Sequence, residues 1–398
     1  MLSRARMGTF LTFALGGLLC GVWVARMPAL KAKFDLTTGS VGFMLLVWGL
    51  AAIVAMQGLR GVIARTDSRT VLRIAAPLAA ISAALIGLAP TYPLLIAAVA
   101  LFGMTFGVMD VSMNAQGSVV EQAYGRPLMS GMHAGWCVGA MSGGLLGALT
   151  AALHLSFTQS VLLAALIALP LTLWVGRTYI ADPVVTAAQH AARTRARLPL
   201  VVYLIGGLAF LAFMAEGAIA DWSGLLLHEN LGAAEAVAAL GYPLFEGAML
   251  CGRLVGDRLR SRLGTRVLLI GAGMGTAVGA TIVVTAPVIP VALAGFFLTG
   301  LMVCTVVPTM ISLAGTVAPG QSSTSVAQVG AMGYGGLLLG PVVIGFLAEA
   351  GSVRTGMSII IGLAVLMTVG FRFIPIPRAT DLASVHSLPL AERELLAA

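Results

Sequence analysis

Asp110 and Asn114 stand four residues apart in the apolar run from Tyr92 to Gln116, in the stretch GVMDVSMNAQ. On a helix that spacing puts them on one face. A lone carboxylate among hydrocarbon costs on the order of several kcal/mol unless it is paired, protonated or turned to water, so it marks a functional position. The chemistry open to this pair is reversible proton binding. A carboxylate can take up and release a proton, and a neighbouring amide can hydrogen-bond to either form. Glu216 and Glu246 lie in similarly apolar runs. Glu216 is expected to face the interior of a bundle. Glu246, in YPLFEGAMLCGR, has two open readings: a carboxylate pair with Glu216, or a satisfied polar residue. Asp221 is five residues past Glu216, about 140° around a helix. It is expected near the outer surface, solvated or paired with Arg26.

His133 follows the polar exit of the Asp110 segment, where a histidine could relay protons or simply hold a hydrogen bond. Trp136 shares its face. Trp23, Trp48 and Trp136 could stack on a ring-shaped solute, with ordinary packing as the alternative. Asn114, His133, Trp136 and Trp23 are the expected substrate contacts, and Asp110, Glu216 and Glu246 the expected proton-coupling residues.

The elements that must position these residues follow from composition. Of 398 residues, 59% are hydrophobic and 10% charged, with a mean hydropathy of +1.00. Soluble domains run near 45–50% apolar and about 25% charged. A membrane helix needs roughly 20 apolar residues, and about twelve such segments run from 8–26 to 356–374. An all-α, twelve-span membrane protein is expected.

The net charge of +8 is a topology signal and not a nucleic-acid footprint. If both termini are cytoplasmic, all 23 Lys and Arg residues except Arg26, Lys31, Lys33 and Arg354 fall inside. A multi-pass protein of the bacterial inner membrane is expected. The four cysteines all lie in apolar segments and read as packing residues. Small-xxx-small spacing at Gly135/Gly139/Gly143 and Gly336/Gly340 favours close helix packing, and Gly340-Pro341 is expected to break or kink its helix. No GxxxxGK[ST] loop, HExxH, cysteine-pair or serine-triad pattern occurs, so no enzyme activity, metal or cofactor is expected.

The hydrophilic stretch from Arg177 to Arg197 divides the chain into a six-helix half (1–177), a cytoplasmic linker (178–197), a second six-helix half (198–374) and a tail (375–398). A weak repeat matches this division. Gly58-Leu-Arg-Gly61 runs on to Arg65, Asp67 and Arg69; Gly252-Arg253-Leu-Val-Gly256-Asp257-Arg258 occupies the same place in the second half. Arg65, Arg69, Arg253, Asp257 and Arg258 are expected in cytoplasmic gating loops.

These loops, the layout and the length resemble the major facilitator superfamily. A closer resemblance rests on Asp110-Val-Ser-Met-Asn114-Ala-Gln116 with Gly125-Arg126-Pro127 through His133 and Trp136, on Glu216 through Asp221-Trp222-Ser223, and on Gly252 to Arg258. Together they resemble the MosC-type branch, distantly similar to the proton-coupled fucose permease. That permease has a carboxylate in its fourth span, which Asp110 matches, and one in its first, which this chain lacks. The fifth span lacks the Gly-Pro step of drug/proton antiporters and the fourth lacks their arginine. The resemblance implies alternating-access transport of a sugar, cyclitol or amino-cyclitol by a monomer, with protons and the lipid bilayer as partners. Two other readings stand beside it: a proton-independent facilitator or exporter of a cationic small molecule, and a non-transporting membrane sensor.

Overall fold

The structure is a computed structural model and describes residues 2–63, 66–125, 128–182, 198–318 and 321–375. Eleven of its helices are long and apolar enough to cross a membrane. A twelfth, Gly241–Leu263, has the length but carries Glu246, Arg253, Asp257, Arg258, Arg260 and Arg262. In chain order the spans are 1 (Leu2–Ala25), 2 (Thr38–Ile63), 3 (Ser68–Leu88), 4 (Tyr92–Tyr124), 5 (Met129–Ala152), 6 (Phe157–Val175), 7 (Leu200–Asn230), 8 (Gly241–Leu263), 9 (Thr265–Thr285), 10 (Ile289–Ala314), 11 (Ser322–Glu349) and 12 (Val353–Gly370). A short helix, Met27–Lys33, links spans 1 and 2.

The packing repeats between halves. Span 1 lies on span 5 as span 7 lies on span 11. Spans 3 and 4 pair as do 9 and 10, and span 3 meets span 6 as span 9 meets span 12. Glycine makes the two tightest backbone-to-backbone approaches possible. A Cβ at Gly139 would lie 1.9 Å from the Ala14 carbonyl oxygen, and one at Gly336 would lie 2.0 Å from that of Phe210. The small-residue spacing therefore does bring backbones together, in both halves.

The halves meet where span 2 touches span 11 and span 5 touches span 8. Polar ties between them gather at the end of the bundle remote from the chain termini, here called the far end. Lys31 Nζ pairs with Glu229 Oε1 at 2.5 Å. Arg26 Nη1 lies 2.9 Å from Glu235 Oε2. Glu349 accepts the Gly39 N–H at 2.6 Å and the Thr38 hydroxyl at 2.7 Å. The other end carries the arginine-rich connections and is called the basic end.

Three expectations need correction. The Gly252–Arg258 motif is no loop: span 8 continues as helix to Leu263, because Arg and Leu are good helix formers and the first left-handed residue is Gly264, at φ +79. Arg260 and Arg262 in its last turn complement the helix dipole. Of the two outcomes expected at Pro341, the break does not occur: span 11 runs on through it as one helix, and a bundle can satisfy the groups a proline frees. Finally, Asp221 is not paired with Arg26, which is taken by Glu235 and by the Leu155 carbonyl at 2.7 Å.

Most of the expected linker lies outside the described residues, as does the tail beyond 375. Its first residues belong to the N-terminal half. Tyr179 bonds Thr12 (2.6 Å), Gln116 holds both backbone groups of Ile180 (2.8 and 3.0 Å), and Asp182 accepts the Ser68 N–H (2.8 Å).

Candidate functional site

Span 4 presents Asp110 to the bundle interior with only 7% of its surface exposed. Helix periodicity brings Asn114 beside it: Asn114 Nδ2 donates to the Asp110 backbone carbonyl at 2.9 Å and reaches its Oδ1 at 3.4 Å. The third member comes from the other half. The Tyr334 hydroxyl, on span 11, faces the Asp110 carboxylate and Asn114. Its ring is stacked on Phe213 of span 7, centroids 6.0 Å apart and 20° between planes. One carboxylate thus touches both halves of the molecule.

A second group lies where span 8 meets spans 5 and 7. Glu246 is buried near Tyr242, one helical turn before it, and Cys137 of span 5. Arg253, two turns beyond Glu246 on the same face, donates from Nη1 to Cys137 Sγ at 3.0 Å. Glu216 arrives from span 7, and its strongest nearby charge is Arg253. Glu216 Oε1, Glu246 Oε2 and Arg253 Nε are buried without a hydrogen-bond partner. Such atoms are costly unless something outside the chain meets them, water or a solute. Cys20 of span 1 lies between the two groups, close enough to sense Asp110 and Asp221.

The sequence expectation and the structure agree on where Asp110, Asn114, Glu216 and Glu246 lie. Asp221 is also buried, at 9% exposure, deeper than its expected place at the surface. His133 is exposed between the halves toward the basic end, its ring edge-on to Phe13 at 5.1 Å and its nearest charge Arg253. Trp136 is half-buried and edge-on to Phe106 (5.9 Å). Trp23 is 7% exposed and stacked on Phe102 (6.0 Å), which leaves its ring little free face. Trp48 completes this row against Phe106 and holds a buried, unpartnered Nε1.

Of the residues expected in gating loops, Arg69 pairs with Asp67 at 3.2 Å at the start of span 3, and Arg258 is exposed at the basic end. Arg65 and the Asp257 side chain lie outside the described residues. Arg253 lies on span 8 against span 5, inside the bundle and not in a loop. Its seven-residue spacing from Glu246 could have announced this, since seven residues return a helix to the same face. Tyr334, Tyr242 and Cys137 were not foreseen; only Tyr334, set in GAMGYGG, stood out from its surroundings.

The comparisons agree with this architecture. A family model described as Major Facilitator Superfamily matches residues 9–327 and again 207–391. The chain is 34% identical over 365 residues to an uncharacterized transporter of Sinorhizobium fredii, covering 90% of this chain and 94% of that protein. It is 28% identical over 356 residues to membrane protein MosC of Rhizobium meliloti, covering 89% and 86%. Among solved structures it resembles a D-xylose–proton symporter, with a TM-score of 0.74, 16% identity, and 94% and 98% of the two chains covered. That likeness bears on fold. The chain belongs to the major facilitator superfamily and is a multi-pass membrane transporter of small molecules.

Proposed function

We propose that the protein is a secondary active transporter that moves a small polar solute across the bacterial inner membrane by alternating access, coupled to protons at Asp110. The observation that carries the reading is the contact of the buried Asp110 carboxylate with Tyr334 of the opposite half. A proton taken up or lost there alters the interaction between the bodies that must rock against each other. Glu216 and Glu246 are further coupling positions. Asn114, His133 and Trp136 line the solute path, and Trp23 backs it through Phe102. The basic end lies in the cytoplasm, with both termini. A sugar, cyclitol or amino-cyclitol suits a site of hydroxyl, amide and carboxylate groups beside aromatic rings. A second reading has an observation of its own: with Arg26 taken by Glu235 at the far end, Asp110, Asp221, Glu216 and Glu246 outnumber Arg253 in the interior, which favours direct binding of a cationic solute.

The test is reconstitution in liposomes holding a pH dye, with a panel of sugars, inositols and amino-cyclitols. Solute-dependent acidification that disappears in Asp110→Asn is expected. Acidification kept in that variant moves coupling to Glu216 or Glu246. Uptake with no pH change rejects proton coupling, and binding without flux points to a sensor.

A further inference from the structure

We propose that Arg253 is a positioning residue of the transport cycle. It is a movable counter-charge, held by Cys137 of the N-terminal half in the present conformation and passed to Glu216 or Glu246 of its own half in the alternative one. This rests on the proton-coupled reading above and adds the element that links carboxylate charge to the angle between the halves.

The geometry is that of an ion pair held apart. Arg253 Nη1 donates to Cys137 Sγ at 3.0 Å, across the contact of spans 5 and 8 that joins the halves. Two carboxylates of its own half stand close by, yet Arg253 forms no ion pair among the described residues. Glu216 and Glu246 each feel Arg253 as their strongest charged neighbour, and each keeps a buried oxygen without a partner. Arg253 Nε is also unpartnered. Glu246 and Arg253 are roughly 10.5 Å apart along one helix face, within reach of two long side chains. The other titratable groups around them are His133 and Cys137 on span 5, Tyr242 on span 8, Cys304 on span 10 and Cys20 on span 1.

A guanidinium bonds a carboxylate roughly twice as strongly as a neutral acceptor. An ionised Glu216 or Glu246 therefore draws Arg253 off Cys137, loosening the span 5–span 8 tie. A carboxylate that has taken up a proton, or is occupied by solute, leaves Arg253 to the thiol. Linkage then requires that protonation favour the conformation in which that tie is made, the one with the far end closed.

The test attaches donor and acceptor dyes through noncanonical amino acids at Ala32 and Ala350. Both are exposed at the far end, in opposite halves, and the native cysteines are kept. In the wild type the dyes should separate as pH rises and close again on acidification. Arg253→Gln should shrink that change in the open-to-closed ratio roughly tenfold, and Arg253→Lys, which keeps the charge, should restore much of it. A wild type with no pH response, or Arg253→Gln with a full one, overturns the inference. If Arg253→Gln does not reach the membrane, Cys137→Ala removes only the acceptor and should move far-end opening to lower pH; an unmoved midpoint overturns the inference equally. Solute-driven acidification measured on the same proteins separates the two readings. Its absence in the wild type rejects proton coupling itself, whereas its presence alongside an indifferent Arg253→Gln rejects only the role of Arg253.

Discussion

The guanidinium of Arg26, 3% exposed, lies 2.9 Å from the carboxylate of Glu235, 39% exposed, so that a buried charge in one half is met by a surface charge from the other. The approach is an ion pair without hydrogen-bond alignment, since Arg26 Nη1 has no aligned acceptor while Nη2 donates to Leu155. Burial pulls the pKa of Arg26 below its ordinary value, and Glu235 offsets part of that pull. Glu235→Gln should weaken far-end closure by about 1 kcal/mol, a value discounted for the exposure of Glu235. Dye separation across Ala32 and Ala350 measures the shift, and an unchanged distance distribution would exclude a latch here.

Tyr334→Phe removes the hydroxyl that faces Asp110 and keeps the ring on Phe213. A hydroxyl that bonds a charged Asp110 during the transport cycle is worth about 1.5–3 kcal/mol. Proton-driven uptake should therefore fall by roughly ten- to a hundredfold, with the melting temperature nearly unchanged. An equal loss of stability and transport would make the contact structural.

Gly139→Ala and Gly336→Ala each place a methyl about 2 Å from a backbone carbonyl of the neighbouring span. Both should destabilise the protein by about 1–3 kcal/mol through overpacking. Gly362, with no atom near its missing Cβ, is the control, and Gly362→Ala should be neutral or slightly stabilising. Thermal unfolding in detergent reads all three.

Asp67, between spans 2 and 3, caps span 3 by accepting the Thr70 N–H at 2.7 Å. Partial burial pushes its pKa up, but the bonds from Thr70 and the nearby Arg69 outweigh this and leave it below the ordinary carboxylate value. A depressed pKa means stability that is fully present above the unfolded value and lost as pH falls through the folded one. Asp67→Ala should cost about 1 kcal/mol near neutral pH. The gap between variant and wild type should close under acid; a gap independent of pH would show that the charge contributes nothing.

Much of the fold was legible because hydrocarbon imposes a strict rule: every spanning segment must be long, apolar and internally hydrogen-bonded. The residues that break this rule, Asp110, Glu216 and Glu246, were visible for the same reason. The Gly139 and Gly336 contacts were legible too, since small residues at helical spacing permit close backbones. Span 8 was misread at its basic end. Arginines in a row look like a loop to a hydropathy count, while their helix propensity and the stop at Gly264 carry the helix to Leu263.

The sequence by itself determined the membrane class, the two halves and the depth of Asp110, Glu216 and Glu246, because these depend on local hydropathy and on periodicity along one helix. Only the tertiary structure decided the partners. That Asp110 meets Tyr334, that Arg253 turns inward to Cys137 between two carboxylates, and that Arg26 chooses Glu235 over Asp221 are contacts between residues more than a hundred positions apart. They are set by how twelve helices tilt and rotate against one another, and no single helix's pattern encodes that rotation.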